Sequence, residues 1–142
     1  MRRHKEKDSM AERRKVLVVD DEPTNIEIVV EILEENYILR AAASGEEALR
    51  EVYAFRPDIM LLDIMMPGID GYRVCRAVKS DEALRETKIV LLSAKAMAED
   101  IEAGFAAGAD GYLTKPFMAE ELKGLLEKHL HTGRSVDRAE SV

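Results

Sequence analysis

Residues 58–71 read Asp58-Ile59-Met60-Leu61-Leu62-Asp63-Ile64-Met65-Met66-Pro67-Gly68-Ile69-Asp70-Gly71. The apolar run Ile59 to Leu62 is too short for a helix and shows no polar alternation, so it reads as a strand buried on both faces. Asp63 ends that strand, and Met66-Pro67-Gly68 turns the chain. Asp70 then stands where it can cap a helix carrying Val74, Cys75 and Val78 inward.

The same alternation extends in both directions. Upstream, Val16 to Val19 forms a β-branched strand ended by Asp20-Asp21-Glu22-Pro23, followed by a helix with Ile26, Val29, Val30 and Leu33 at i, i+3, i+4, i+7 spacing. Tyr37 to Ala42 reads as a weaker strand, and Ser44-Gly45-Glu46-Glu47 as a capping box opening a helix with Ala48, Leu49 and Val52 inward. Downstream, Ile89 to Leu92 is a fourth strand ending at Ser93, followed by a helix from about Ala98 that carries Ile101 and Phe105 and stops at Gly108. A short strand, Gly111 to Thr114, leads through Lys115-Pro116 into a last helix with Leu122, Leu125, Leu126 and Leu130. Strands that are apolar throughout and alternate with helices predict an α/β fold, a doubly wound five-stranded parallel sheet with helices on both faces. In such sheets ligands bind beyond the carboxyl ends of the strands, where the strand order reverses.

The chain has 142 residues, 46% of them hydrophobic and 35% charged, which suits one water-soluble domain. No apolar run reaches the roughly 18 residues needed to span a bilayer, and no apolar signal region follows the basic start, so the expected location is the cytoplasm. A lone cysteine, Cys75, fits that compartment and excludes an internal disulfide. Residues 1–14 hold six Lys/Arg against three acids and read as a basic tail or leader. Residues 15–131 hold 13 Lys/Arg against 23 Asp/Glu and form the domain, and residues 132–142 form a polar C-terminal tail. A domain this acidic repels phosphate backbones, which argues against direct nucleic-acid binding.

Polar groups stand at four strand ends: Asp20 and Asp21 after the first, Asp63 after the third, Ser93 after the fourth and Lys115 after the fifth. If the reversal lies between strands one and three, three carboxylates converge and repel one another, and Lys115 offsets only one charge. Hard oxygen donors without nearby His or Cys favour Mg²⁺ over zinc or copper. Taken singly, the Asp20-Asp21-Glu22 run is an ordinary acidic helix start and Asp63 an ordinary turn acid. Their common position on one edge of the sheet is what points to a site.

The pieces Val16 to Glu22, Asp58 to Gly71, Leu92-Ser93-Ala94 and Gly108 to Phe117 resemble the response-regulator receiver domain of two-component signalling, over roughly residues 14–131. The resemblance implies the flavodoxin-like strand order 2-1-3-4-5. It makes Asp63 the phosphoacceptor, Asp21 a direct Mg²⁺ ligand, Asp20 a ligand through the ion's water shell, and Met65 a backbone-carbonyl ligand. Ser93 would hydrogen-bond the phosphoryl group, Lys115 would pair with it, Tyr112 would be the switch aromatic, and Lys115-Pro116 would be a cis peptide. The implied partners are a sensor histidine kinase or phosphotransfer protein and an unnamed downstream effector, with no membrane and with a phosphorylation-dependent homodimer compatible. The output surface would be the fourth helix, fifth strand and fifth helix.

The chemistry agrees independently, since a carboxylate attacking a phosphoryl group needs cations to absorb charge. Lys95 reads either as a phosphoryl contact or as a solvent lysine. Cys75 reads as core, His129 and His131 as packing or surface residues, and Met60, Met65, Met66 and Met97 as gap-fillers near one sheet edge. Two rivals are weaker. A Mg²⁺-dependent phosphatase with an aspartyl nucleophile wants a second aspartate two residues after the first, where this chain has Met65. A flavodoxin-like cofactor binder wants a glycine-rich phosphate loop where Asp20-Asp21-Glu22 stands. A receiver fragment of a larger regulator is a further alternative.

Overall fold

The computed structural model describes residues 13–141. Strands β1 (Lys15–Val19), β2 (Ile38–Ala42), β3 (Ile59–Asp63), β4 (Lys88–Ser93) and β5 (Gly111–Thr114) form a parallel sheet in the order β2-β1-β3-β4-β5. Between and after them lie α1 (Pro23–Leu33), α2 (Gly45–Phe55), α3 (Gly71–Ser80), α4 (Ala98–Ala106) and α5 (Ala119–Ser141). This is the expected doubly wound fold, with its reversal between β1 and β3.

The period of two sorts the sheet's apolar residues onto two cores. Leu17, Val19, Met60, Leu62, Ile89 and Leu91 pack on one face with Ala48 and Val52 of α2 and Val74, Cys75 and Val78 of α3. Val16, Val18, Ile59, Leu61, Val90 and Leu92 pack on the other with Val29 and Leu33 of α1 and Leu122, Leu126 and Leu130 of α5. Every residue of β3 is buried, which is why its sequence lacks alternation. By contrast β2 is an edge strand with three of its five residues exposed, and so its pattern is faint.

Two caps form as their sequences imply. Ser44 Oγ accepts the Glu47 N–H at 3.0 Å and Asp70 Oδ1 accepts the Arg73 N–H at 3.0 Å. Glu47 reaches back one residue further than a standard capping box, accepting from the Ala43 N–H at 2.8 Å. On α1 Ile26, Val29 and Leu33 face the core as expected, while Ile32 packs there in place of Val30.

The leader expected over residues 1–14 lies outside the described residues except for its last two. Arg14 is fastened to the domain, its guanidinium donating to the Leu130 carbonyl at 3.2 Å and its carbonyl accepting the Ile38 N–H at 3.0 Å. Of residues 132–142, expected as a polar tail, the backbone to Ser141 continues α5, and their side chains, with that of His131, lie outside the described residues.

Gly71 fixes how closely α3 approaches the end of β3. Its N–H donates to the Ile64 carbonyl at 2.9 Å, and a Cβ there would stand 2.4 Å from the Asp63 carbonyl oxygen and 2.7 Å from Ile64 Cα. Both obstacles are backbone, so neither can swing aside. Gly71→Ala is expected to cost about 1–3 kcal/mol, the usual range for overpacking, measured by urea denaturation.

Candidate functional site

The sheet register sets the site residues side by side. Val19 pairs with Leu62, so Asp20 and Asp63 leave neighbouring strands at the same level. The Asp20 N–H extends the β1–β2 ladder to the Ala42 carbonyl at 3.1 Å, and the Lys115 N–H extends the β4–β5 ladder to the Ser93 carbonyl at 2.8 Å. Backbone hydrogen bonds therefore hold both the acid and the base before any side-chain contact forms.

Oxygens from Asp20, Asp21 and Asp63 lie within 4.8 Å of one another. Asp20 and Asp63 are buried and Asp21 is half-buried. Lys115 Nζ stands 3.0 Å from Asp20 Oδ2 and 3.9 Å from Asp63 Oδ1, and among the described residues it is the cation paired with this cluster. The second Asp20 oxygen accepts the Glu22 N–H at 2.9 Å. Burial pushes the Asp63 carboxyl above its ordinary value, Asp20 and Asp21 push the same way, and Lys115 and the Met65 N–H, 3.4 Å from Asp63 Oδ1, pull against them. The donor set fits a hard divalent cation, being three carboxylates against one ammonium with no His or Cys among them.

Ser93 is fully buried, with its hydroxyl accepting the Lys95 N–H at 3.1 Å. Tyr112 is half-buried, and its hydroxyl donates to the Lys95 carbonyl at 2.9 Å. Burial, reinforced by Tyr72 and Asp100, pushes the Tyr112 phenol up to about 12. The Lys115–Pro116 peptide is cis, as the resemblance implied.

Met60 and Met66 fill the core, but Met65 and Met97 are 57% and 62% exposed, so the gap-filling expectation fails for those two. They sit on loops beyond the strand ends, where the sheet offers no second layer to cover them. Lys95 pairs with Asp100 at 3.6 Å and keeps 37% of its side chain exposed. Cys75 is fully buried as expected, and burial lifts its thiol to about 11, leaving it inert near neutrality.

Three residues without a role in the sequence reading also shape the region. Tyr72 donates its hydroxyl to the Asp100 carbonyl at 3.0 Å, joining α3 to α4. Asp100 accepts the Met97 N–H at 3.3 Å and so caps α4. Gly104 lies against Tyr112, and a Cβ there would stand 3.1 Å from the ring and 2.8 Å from Leu91 Cδ1. An acid three residues into the helix was a readable signal for Asp100, whereas the contact of Gly104 needed the tertiary structure.

The strand order, the three converging carboxylates and the lysine from β5 coincide with a family-level match. Residues 16–127 fit the response regulator receiver domain, and the chain belongs to that family. It is therefore similar in class to the signalling domains of two-component systems. It is 40% identical over 111 residues to the DNA-binding response regulator MtrA of Mycolicibacterium smegmatis, a match covering 78% of this chain and 47% of that protein. It is 36% identical over 124 residues to Protein PilG of Pseudomonas aeruginosa, covering 87% of this chain and 92% of that one. The chain thus spans about half the length of the first relative and nearly all of the second. A putative response regulator from Chloroflexus aurantiacus superimposes with a TM-score of 0.80 at 38% identity, over 84% of this chain and 98% of that one. Among the described residues no helix is long and apolar enough to cross a membrane.

Because burial raises the Asp63 pKa, the folded chain binds that proton more tightly than the unfolded chain. Stability is then lost as pH rises from the ordinary carboxylate value of 3.8 through the raised one. Asp63→Asn escapes this loss. In the presence of a chelator at pH 7 its melting temperature is expected to exceed the parent's, with the gain vanishing below the ordinary carboxylate range. Thermal scans across pH check both parts.

Proposed function

We propose that Asp63 accepts a phosphoryl group from the phosphohistidine of a sensor histidine kinase or histidine phosphotransfer protein. The observation that carries this reading is the position of Asp63, at the end of a fully buried strand, beside the Asp20–Asp21 pair and 3.9 Å from the Lys115 ammonium. An Asp63 oxygen attacks phosphorus, the bond to the donor imidazole nitrogen breaks, and an acyl phosphate forms. Lys115 absorbs charge on the transferred oxygens, and Asp20 orients Lys115 through their 3.0 Å contact.

Asp21 and Asp63 would hold Mg²⁺ directly, with the Met65 carbonyl as a further ligand and Asp20 acting through the ion's water. Bound there, the ion supplies positive charge that neutralises the attacking carboxylate and the phosphoryl oxygens. The later hydrolysis of the acyl phosphate acts on the chain itself, so the reading is a signalling switch rather than an enzyme with an external substrate.

Ser93 donates its hydroxyl to the phosphoryl oxygen in this reading while its oxygen still accepts the Lys95 N–H, and so draws the β4–α4 loop inward. Tyr112, whose hydroxyl is tied to that same loop, turns with it, and the α4–β5–α5 face changes for a downstream effector or a second copy of the chain. The cytoplasm is the compartment where such a kinase domain and a reduced Cys75 coexist. The acidic domain does not itself contact nucleic acid.

Incubation with acetyl phosphate and Mg²⁺, followed by intact-mass measurement, is expected to show one added phosphoryl group on the parent and none on Asp63→Asn. Equal addition on the two proteins would refute the assignment. Mg²⁺ at ten times its dissociation constant is expected to stabilise the parent by about 1.4 kcal/mol in thermal unfolding. Asp21→Ala should lose most of that shift, and a full shift in the variant would place the ion elsewhere.

A further inference from the structure

Lys95 lines a shallow hollow of about 400 Å³ with Ile64, Met65, Met66, Asp70 and Tyr72, on the side of the site where the chain leaves Asp63. Its ammonium is turned to Asp100 Oδ1 at 3.6 Å, longer than a good charge-assisted hydrogen bond, and the lysine side chain is 37% exposed. Its backbone is held more firmly, by the Ser93 hydroxyl on its N–H and the Tyr112 hydroxyl on its carbonyl. The loop thus fixes where Lys95 starts while leaving its four-carbon stem free to choose between anions.

The charges around Asp63 decide that choice. Asp20, Asp21 and a dianionic phosphoryl-Asp63 sum to four negative charges, against which Lys115 and a divalent ion supply three positive. One negative charge remains, beside a hollow that Lys95 lines. A single carboxylate in a pair as loose as 3.6 Å competes poorly with a dianion in that setting. We propose that Asp100 is a positioning residue that holds Lys95 away from the phosphoryl site, so that the Lys95–Asp100 pair opposes phosphoryl binding and opens when the group arrives. This rests on Asp63 being the phosphoacceptor. Opening the pair also removes a charge partner from the residue that caps α4, which links occupancy of the site to the first turn of that helix.

The test is the affinity for beryllofluoride, an acyl-phosphate mimic, measured at fixed Mg²⁺ by fluorine NMR on the full chain. Five proteins are compared: the parent, Asp100→Asn, Asp100→Glu, Lys95→Met and the double variant of Asp100→Asn with Lys95→Met. Asparagine keeps an oxygen for the Met97 N–H, and melting curves show that each variant is folded. Asp100→Asn is expected to bind about two- to five-fold more tightly, the range a partly exposed ion pair supports, with the gain shrinking as salt rises. Lys95→Met should bind more weakly by a similar factor, and the double variant should match Lys95→Met. Asp100→Glu should return affinity toward the parent's. An Asp100→Asn affinity equal to the parent's, or the same gain in the Lys95→Met background, overturns the proposal. A parent that binds no beryllofluoride with Mg²⁺ refutes instead the reading of Asp63 on which it rests.

Discussion

Three carboxylates gathered within 4.8 Å against one ammonium is the constraint on which the rest of the architecture depends. Left to side chains alone, such a cluster would separate, because each acid gains water and loses repulsion by turning outward. The backbone prevents this. Asp20 and Asp63 leave adjacent parallel strands in matched register, and both strands are locked by cores on two faces. Lys115, 95 residues from Asp20 in sequence, reaches it because β5 is laddered to β4 up to the lysine's own N–H. The stability of the sheet is converted into a site that its own charges oppose, and a cation is the natural remedy.

The molecule is uneven in how firmly it holds its parts. Buried β3 forms a rigid floor under Asp63, and Gly71 lets α3 close directly over the end of that strand. On the other side of the site α4 buries only Gly104 and carries the exposed Phe105, so few apolar contacts resist its displacement. Its attachment is instead polar and local, through Tyr72, Asp100 and the Lys95 pair. Polar contacts that exchange partners cheaply suit the moving part of a switch, and dense packing suits the part that must stay still.

Much of this was legible in the sequence, for a physical reason. Central strands buried on both faces declare themselves as unbroken apolar runs, and the Asp63, Ser93 and Lys115 positions follow from where those runs stop. The caps at Ser44 and Asp70 are local chemistry and were readable for the same reason. The strand β2 was blurred because an edge strand need not bury alternate residues. On α1 only Val30 gives way, to Ile32, because i, i+3 spacing leaves the fine rotation of a helix on its sheet undetermined until its neighbours are known. Met65 and Met97 were misread since hydrophobicity states what a side chain prefers and not whether a second layer exists to cover it. The partners of Lys95, Tyr72 and Gly104 depend on contacts between separate elements, which periodicity does not encode.

Tyr112 shows how the firm and loose halves meet. Its strand belongs to the locked sheet, its ring lies where only a glycine at position 104 leaves room, and its hydroxyl holds the Lys95 carbonyl. Desolvation keeps that phenol protonated far above neutrality, so it acts as a donor and not as a charge. That hydroxyl is bonded to the same residue whose N–H the Ser93 hydroxyl accepts, so the loop, Ser93 and Tyr112 are tied together. The ring is also packed against the core beneath it and against Gly104, so it is held by the strand and the helix as well as by the loop. Coupling of this kind requires no long pathway, because one side chain touches the loop, the helix and the strand at once.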